Sequence, residues 1–290
     1  MTLAIQLPQA GLRRYGSLLS PMAWGGALAV AAAVVLLSLF APPVLAPYDP
    51  DYVDLNNVLA GPSGQHLLGG TDALGRDLLS RLMHGGRTSL LGGPTIVVIG
   101  STVLGLLLGL VAGWSEGWLG KVLGRLFDLL FAFPALLMAM LAIALFGKGG
   151  LFAPILAMTI AYVPYVARLA QSLVVAERSR PYVQAYRVLG FRTPWVVLGR
   201  VLPNLIPTVG AQSTLNFGYV LADLAALSFI GLGVQPPTSD WGAMIEESRG
   251  ALLGGYILPA FWPALVVVLV VVAVNVIGEE LSDRIGGKLS

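Results

Sequence analysis

The sequence contains no cysteine and only two histidines in 290 residues. Without thiols it can build neither a disulfide framework nor thiolate metal sites, and two imidazoles are too few for an all-protein transition-metal centre. Charge is also scarce. Asp, Glu, Lys and Arg make up 11% of the chain, against about 25% in an average soluble domain, which argues against a soluble enzyme. Nucleotide-binding and hydrolase signatures are missing as well. Gly120-Lys121, Gly147-Lys148 and Gly287-Lys288 lack both the upstream glycine and the following hydroxyl of a phosphate-binding loop, and neither His-Glu-x-x-His nor Gly-x-Ser-x-Gly occurs. The chain itself is not expected to bind ATP, a cofactor or a metal.

What is present is apolar: 56% of the residues are hydrophobic and the mean hydropathy is +0.81. No acid or base interrupts Tyr15 to Tyr48, Thr88 to Ser115, Leu129 to Gly147, Gly149 to Ala167, Val201 to Ala222, or Gly250 to Gly278. A helix needs about 20 apolar residues to cross roughly 30 Å of hydrocarbon at 1.5 Å per residue. These runs lack the short alternation of a membrane barrel, and backbone groups in lipid must be paired internally, so the spans are expected to be α-helices. The predicted fold is an all-α polytopic membrane protein with six transmembrane helices. The apolar stretch from about Met22 to Leu45 is too long for a signal-peptide core, and Ala46-Pro47 is a poor cleavage site, so the first span reads as a retained anchor.

Orientation follows from the basic residues. With the N-terminus inside, the inner segments hold Arg13, Arg14, Lys121, Arg125, Arg168, Arg178, Arg180, Arg187, Arg192, Arg200, Arg284 and Lys288, and the outer ones only Arg76, Arg81, Arg87, Lys148 and Arg249. The positive-inside rule then places both termini in the cytoplasm. The pI near 9.0 reflects this topology; no basic stripe marks a nucleic-acid partner. The predicted organisation is a cytoplasmic tail over 1–21, a first transmembrane helix over 22–45, an extracytoplasmic segment over 46–86, a membrane core over 87–280 and a cytoplasmic tail over 281–290. Within the core, helices are expected at about 88–114, 122–146, 151–175, 204–230 and 256–278, with a cytoplasmic loop over 176–203.

Several residues stand out. Gly105, Gly109 and Gly113, four apart, share one helix face on which another backbone can approach closely; the face serves either static packing or sliding during transport. Asp72, Arg76, Asp77 and Arg81 are spaced to pair along a helix in the outer segment. Ionisable residues within membrane helices are costly. Asp128 lies one turn from Arg125, its expected partner. Asp223, Tyr219 and Asn216 share a helix face and either line a pathway or make a buried interhelical bond. His66 and His84 read as ordinary surface residues. In the long cytoplasmic loop, Pro181 is placed to open a helix over 182–189 that Gly190 ends. Such a helix lies on the membrane surface or docks in a partner's groove.

That loop carries a resemblance. Gln184-Ala185-Tyr186, three residues, Gly190 and then Leu202-Pro203 is similar to the EAA loop of ABC importer permeases, with Gln184 in place of the first Glu and Tyr186 in place of the second Ala. Two further segments resemble the C-type permeases of dipeptide, oligopeptide and nickel importers. One runs from Leu68-Gly-Gly-Thr-Asp-Ala-Leu-Gly-Arg-Asp through Gly85-Gly86-Arg87-Thr88-Ser89-Leu90. The other is Leu227-Ser-Phe-Ile-Gly-Leu-Gly-Val-Gln-Pro-Pro237 followed by Asp240-Trp241-Gly242. Together they cover about residues 45 to 285.

The resemblance implies a six-helix MetI-like bundle of a type I ABC importer in the bacterial inner membrane. It implies as partners a homologous permease, two ATPase subunits that carry ATP and Mg, an extracytoplasmic solute-binding protein and the lipid bilayer. Gln184, Ala185, Tyr186, Arg187, Gly190, Leu202 and Pro203 would form the ATPase-coupling loop, and Asn216, Tyr219 and Asp223 are the candidate pathway residues. Peptides are the expected solutes. Nickel chelates, glutathione or another small solute use similar permeases, and an ion-coupled secondary transporter is the remaining alternative.

Overall fold

The computed structural model describes residues 21–40, 45–67, 69–147 and 152–289. The tail expected over 1–21, apart from Pro21, lies outside the described residues, as do Leu68, Lys148 and Ser290. Among the described residues the regular elements are helices, joined by one isolated antiparallel bridge between Thr71 and Asp77.

Helix α1 spans Pro21–Phe40. Helix α2, Leu78–Gly86, begins where the Asp77 carboxylate accepts bonds from the Ser80 amide and hydroxyl, both at 2.8 Å, which satisfies donors that a helix start leaves unpaired. It continues through a wide turn at 87–92 into α3, Pro94–Trp114, so that Leu78–Trp114 is one rod of 37 residues. The single helix expected over 122–146 is instead two, α4 (Trp118–Phe131) and α5 (Ala135–Phe146), bent by 84°. Pro134 causes the break: it has no N–H to donate and drives the residue before it out of the helical region.

Helix α6 is Phe152–Arg178, followed by α7 (Pro181–Val188), α8 (Thr193–Val196) and α9 (Leu202–Phe229). Two short helices, α10 (Trp241–Glu247) and α11 (Arg249–Leu253), precede α12 (Leu258–Leu289). Three helices are long and apolar enough to cross a membrane, Leu78–Trp114, Phe152–Arg178 and Leu258–Ile285; the bent α4–α5 pair would make a fourth. Helix α9 has the length, at 28 residues, but Asn204, Gln212, Asn216 and Asp223 lower its hydropathy. The apolar part of α1 is the shorter Gly25–Ser38. Exposed side chains of α3, such as Ile96, Ile99, Val103 and Leu107, present the apolar surface that acyl chains require.

The glycine face of α3 packs directly on α6. A Cβ at Gly109 would sit 2.6 Å from both the Ala167 carbonyl oxygen and the Ala170 Cβ, and one at Gly113 would sit 2.7 Å from the Gln171 oxygen and the Val174 Cβ. Backbones this close exchange dispersion contacts along the whole crossing, which replaces the hydrophobic drive that lipid does not supply. Asp128 pairs not with Arg125 but with Arg168, bringing α4 onto α6. A carboxylate on the α6-facing side of α4 meets the α6 arginine across the helix pair before it meets one on its own helix.

The segments around Asp72–Arg81 and Asp240–Glu247, distant in sequence, form one structure. Asp72 and Arg76 lie in the turn before α2 rather than on a helix, Asp77 is its cap, and only Arg81 is helical. The Asp72 carboxylate accepts from Arg76 Nε and Arg81 Nη1, each at 2.7 Å; Glu247 on α10 accepts from Arg81 Nη1 at 2.7 Å and also pairs with Arg76. Arg81 is 1% exposed and Asp72 6%. Trp241 is buried and donates from Nε1 to the Leu82 oxygen at 2.9 Å, while Asp240 accepts from Ser89 Oγ at 2.7 Å. Glycine is required in the turn before α2: Gly75 sits at φ +76°, where an added Cβ would collide with the Asp54 carbonyl. His66 is buried rather than a surface residue, with Nδ1 3.0 Å from the Asp77 carboxylate; His84 Nδ1 lies 2.9 Å from the Ser80 oxygen.

Candidate coupling face and polar stripe

At the other end of the bundle, the loop expected over 176–203 begins within α6 and ends within α9. Between them, Pro181 opens α7 and Gly190 follows its end at φ +78°, a left-handed conformation that glycine adopts without penalty. No other atom lies within 4 Å of where a Gly190 Cβ would be. The residue type is thus set by the backbone turn, not by crowding inside this chain.

The inner face of α7 is anchored. Val183 is fully buried in a cluster with Val174, Val196, Val201 and Leu205, and Leu202 packs against it. Glu177, near the end of α6, is 6% exposed and accepts from Tyr182 Oη at 2.5 Å and from Asn204 Nδ2 at 2.8 Å; its other oxygen meets Arg180 Nε at 2.8 Å. One carboxylate therefore ties α6, α7 and the start of α9 together. Burial, and then the bond to Glu177, push the Tyr182 phenol up to about 12, so it stays protonated and donating at neutral pH. Pro203, in the first turn of α9, lines a cavity of about 430 Å³ with Glu177, Arg180, Asn204 and Thr208.

The outer face of α7 is bare. Val188 is 87% exposed and Leu189 71%, flanked by exposed Gln184, Ala185, Arg187 and Gly190. Gln184 donates to the Arg178 oxygen at 2.9 Å. Tyr186 leans inward, edge-on to Phe191 and Trp195, which stack on each other at 4.8 Å, with the Arg200 guanidinium over the Tyr186 and Trp195 rings. Arg187 covers the Trp114 ring at 4.7 Å. The loop is thus rigid underneath and apolar at its tip. The exposed apolar pair on so short and well-braced a helix is the form of a docking knob. Glu177, Asn204 and Arg200 were not singled out by sequence. A signal existed for the first: Glu177 is the only acid between Asp128 and Asp223.

Of the three residues expected to share a face of α9, Tyr219 and Asp223 do so and Asn216 is covered. Asn216 is 1% exposed and turned into the bundle, where Gln212 Nε2 donates to its Oδ1 at 3.0 Å and its own Nδ2 has no partner. Tyr219 is 57% exposed and Asp223 partly so. Asp223 Oδ2 accepts from Tyr162 Oη of α6 at 2.8 Å. The accessible polar stripe instead follows Asn204, Thr208, Gln212, Tyr219 and Asp223, at helical spacings of four, four, seven and four. Its lower end, Asn204 and Thr208, lines the 430 Å³ cavity beside Glu177. Sequence periodicity singled out Asn216 and passed over Gln212; a 100° step per residue places both within one broad polar sector, and only packing decides which is covered.

Comparison with known proteins agrees with an apolar helical membrane bundle. Residues 105–288 match the family described as binding-protein-dependent transport system inner membrane component. The chain is 43% identical over 265 residues to the di/tripeptide transport system permease protein DppC of Pseudomonas aeruginosa (strain UCBPP-PA14), covering 88% of this chain and 85% of that one. It is 38% identical over 248 residues to the glutathione transport system permease protein GsiD of Escherichia coli (strain UTI89 / UPEC) and of Shigella sonnei (strain Ss046), covering 84% of this chain and 80% of each relative. This apolar helical bundle, matched over most of its length to such permeases, belongs to the binding-protein-dependent inner membrane components, the permease subunits of ABC importers.

Proposed function

We propose that this chain pairs with a homologous permease to form the pathway by which an ABC importer takes up short peptides. Two ATPase subunits carrying ATP and Mg sit on the cytoplasmic side, and a solute-binding protein delivers the peptide from outside. In this reading the chain crosses the inner membrane six times: α1, the Leu78–Trp114 rod, the bent α4–α5 pair, α6, α9 and α12, with both termini in the cytoplasm. Crossing by α9 is reasonable despite its polar residues because they face protein or an aqueous path rather than lipid.

The observation that carries the proposal is α7, exposed and apolar at Val188 and Leu189 and braced from behind by Val183 and the Glu177 node. A helix fixed to the bundle on one side and bare on the other transmits a push. ATP-driven closure of the ATPases would move α7 and open the bundle outward to the binding protein; hydrolysis would reset it inward. Coupling of this kind requires the ATPases' states to differ in affinity for the permease's states.

Substrate class rests on the relatives. One is named for di- and tripeptides and two for glutathione, and glutathione is itself a tripeptide. The test is reconstitution of the full complex in proteoliposomes with radiolabelled dipeptide, tripeptide and glutathione. ATP-dependent uptake of peptide is the expected result. Uptake that persists without ATP and collapses with the proton gradient would overturn it in favour of a secondary transporter. ATP-dependent uptake confined to glutathione or to a nickel chelate would reassign the solute while keeping the importer.

A further inference from the structure

The polar stripe on α9 ends at a group whose chemistry is specific. Asp223 uses Oδ2 to accept from Tyr162 Oη at 2.8 Å, and its Oδ1 has no partner among the described residues, nor is it sealed from the surface. Aromatic side chains cluster around Tyr162, its hydrogen-bond partner. Tyr162 stacks on Tyr165 with centroids 5.3 Å apart, Phe131 meets Tyr165 edge-on at 4.7 Å, and Tyr219 stands one turn before Asp223 on the same face of α9. Tyr165 and Tyr219 are 44% and 57% exposed.

A carboxylate at this depth cannot face acyl chains without a large penalty, and the surroundings of Asp223 differ from a lipid-facing surface. On α3 the exposed residues are uniformly aliphatic; on α6 and α9 the exposed residues include Tyr165 and Tyr219 beside the partly exposed Asp223, and along α9 the half-buried Gln212 lies between these and the polar cavity at Thr208 and Asn204. An aqueous route along α9 fits that arrangement. Next to it, a carboxylate oxygen and several aromatic faces are the two elements that recognise an organic cation: the oxygen accepts a charge-assisted bond and the ring quadrupoles attract the same charge.

We propose that Asp223, with Tyr165 and Tyr219, forms a transient site for a solute ammonium group on the translocation path, and that for a peptide this is its free amino terminus. Tyr162 is a positioning residue: its hydroxyl occupies Oδ2 and turns Oδ1 outward. This inference rests on the peptide reading above.

The test uses the full complex with its partner permease, ATPases and binding protein. Uptake of a labelled dipeptide is measured at saturating loaded binding protein, which the variants leave unaltered. Asp223→Asn is expected to lower maximal uptake by about tenfold or more, the range for loss of one charge-assisted bond, while Asp223→Glu recovers most of it. Tyr162→Phe separates this site from a structural interhelical bond, because it removes the hydroxyl and keeps the carboxylate: it should fall by no more than about threefold, whereas a structural bond would make it fail as badly as Asp223→Asn.

A second readout is equilibrium binding of a fluorescent dipeptide and its N-acetylated form to the complex in nanodiscs without binding protein. The free-amino form is expected to bind at least about tenfold more tightly, with the difference lost in Asp223→Asn. Equal affinities, binding of neither form, or a difference that survives in Asp223→Asn overturns the inference. Failure of the wild-type complex to take up any peptide would instead overturn the peptide reading on which it stands.

Discussion

Replacing Glu177 by alanine removes the only carboxylate that joins α6, α7 and α9, and the structure sets the size of the effect. A hydrogen bond to a charged acceptor contributes about 1.5–3 kcal/mol, and Glu177 accepts two from neutral donors, Tyr182 at 2.5 Å and Asn204 at 2.8 Å. The Arg180 side chain is half exposed, so its pair adds at most about 1 kcal/mol. Offsetting these, the adjoining cavity of about 430 Å³ admits water to Asn204, one of the two abandoned donors. The net loss should be about 2–3 kcal/mol, and it falls on the docking of α7 rather than on the whole bundle, whose α3–α6 and α9–α12 packing lies elsewhere. At about 1.4 kcal/mol per factor of ten, opening of α7 should become roughly 30- to 150-fold more frequent. Amide hydrogen exchange of the purified protein measures this directly, because local opening free energies differ between segments. Protection at Ala185 to Leu189 should fall by that factor while protection in α3 and α6 stays at the wild-type level. Unchanged protection over α7 in a folded variant would refute the argument that Glu177 braces it. The consequence for transport is an increase in ATP hydrolysed per solute imported.

Three other substitutions test separate parts of the structure. Gly190→Arg places a long side chain at φ +78°, a conformation that costs a non-glycine residue about 1–2 kcal/mol, and puts it beside the exposed tip of α7; it should uncouple ATP hydrolysis from uptake, whereas Gly190→Asn should be far milder, and a wild-type transport-to-ATP ratio in the arginine variant would contradict the docking role. Gly109→Val forces atoms into a space where even Cβ would lie 2.6 Å from the Ala167 oxygen; it should destabilise by about 3 kcal/mol or more, read as a lower Tm in detergent, with Gly117→Val, which meets nothing within 4 Å, as the neutral control. Arg81→Met leaves the Asp72 and Glu247 carboxylates facing one another with one arginine fewer in a buried network; the expected loss is about 3–5 kcal/mol, partly recovered by adding Asp72→Asn, and a thermal stability equal to wild type would show that the network is wet and weak.

Much of the fold was legible in the sequence, for a physical reason: lipid imposes one requirement, a charge-free apolar run about 20 residues long, and such runs can be read without knowing what touches what. The glycine spacing at 105, 109 and 113 was equally readable, because close approach needs small residues at helical period. Pro181 and Gly190 marked the ends of α7 by their own backbone geometry. Pro134 carried the signal for the break between α4 and α5, yet proline also occurs inside intact helices, as Pro164 does in α6, so its effect depends on whether neighbouring helices support a straight course.

Pairing is where sequence reading failed. Asp128 was assigned to Arg125 by helical spacing and bonds to Arg168; Asp72 does pair with Arg76 and Arg81 as expected, but from the turn before a helix rather than along one, and both arginines are also claimed by Glu247 from the far end of the chain. Local spacing lists the partners within reach on one element, and tertiary packing supplies competitors from other elements that periodicity cannot see. The same holds for the sites. Sequence by itself determined that this is a helical membrane protein and that a short helix opened by Pro181 interrupts the loop between two of its long helices. Only the tertiary structure decided that Glu177 braces that helix, that Asn216 is covered while Gln212 is not, and that Asp223 keeps one oxygen free among tyrosines. Each of these depends on which side of a helix a neighbour buries, a long-range fact that no local pattern contains.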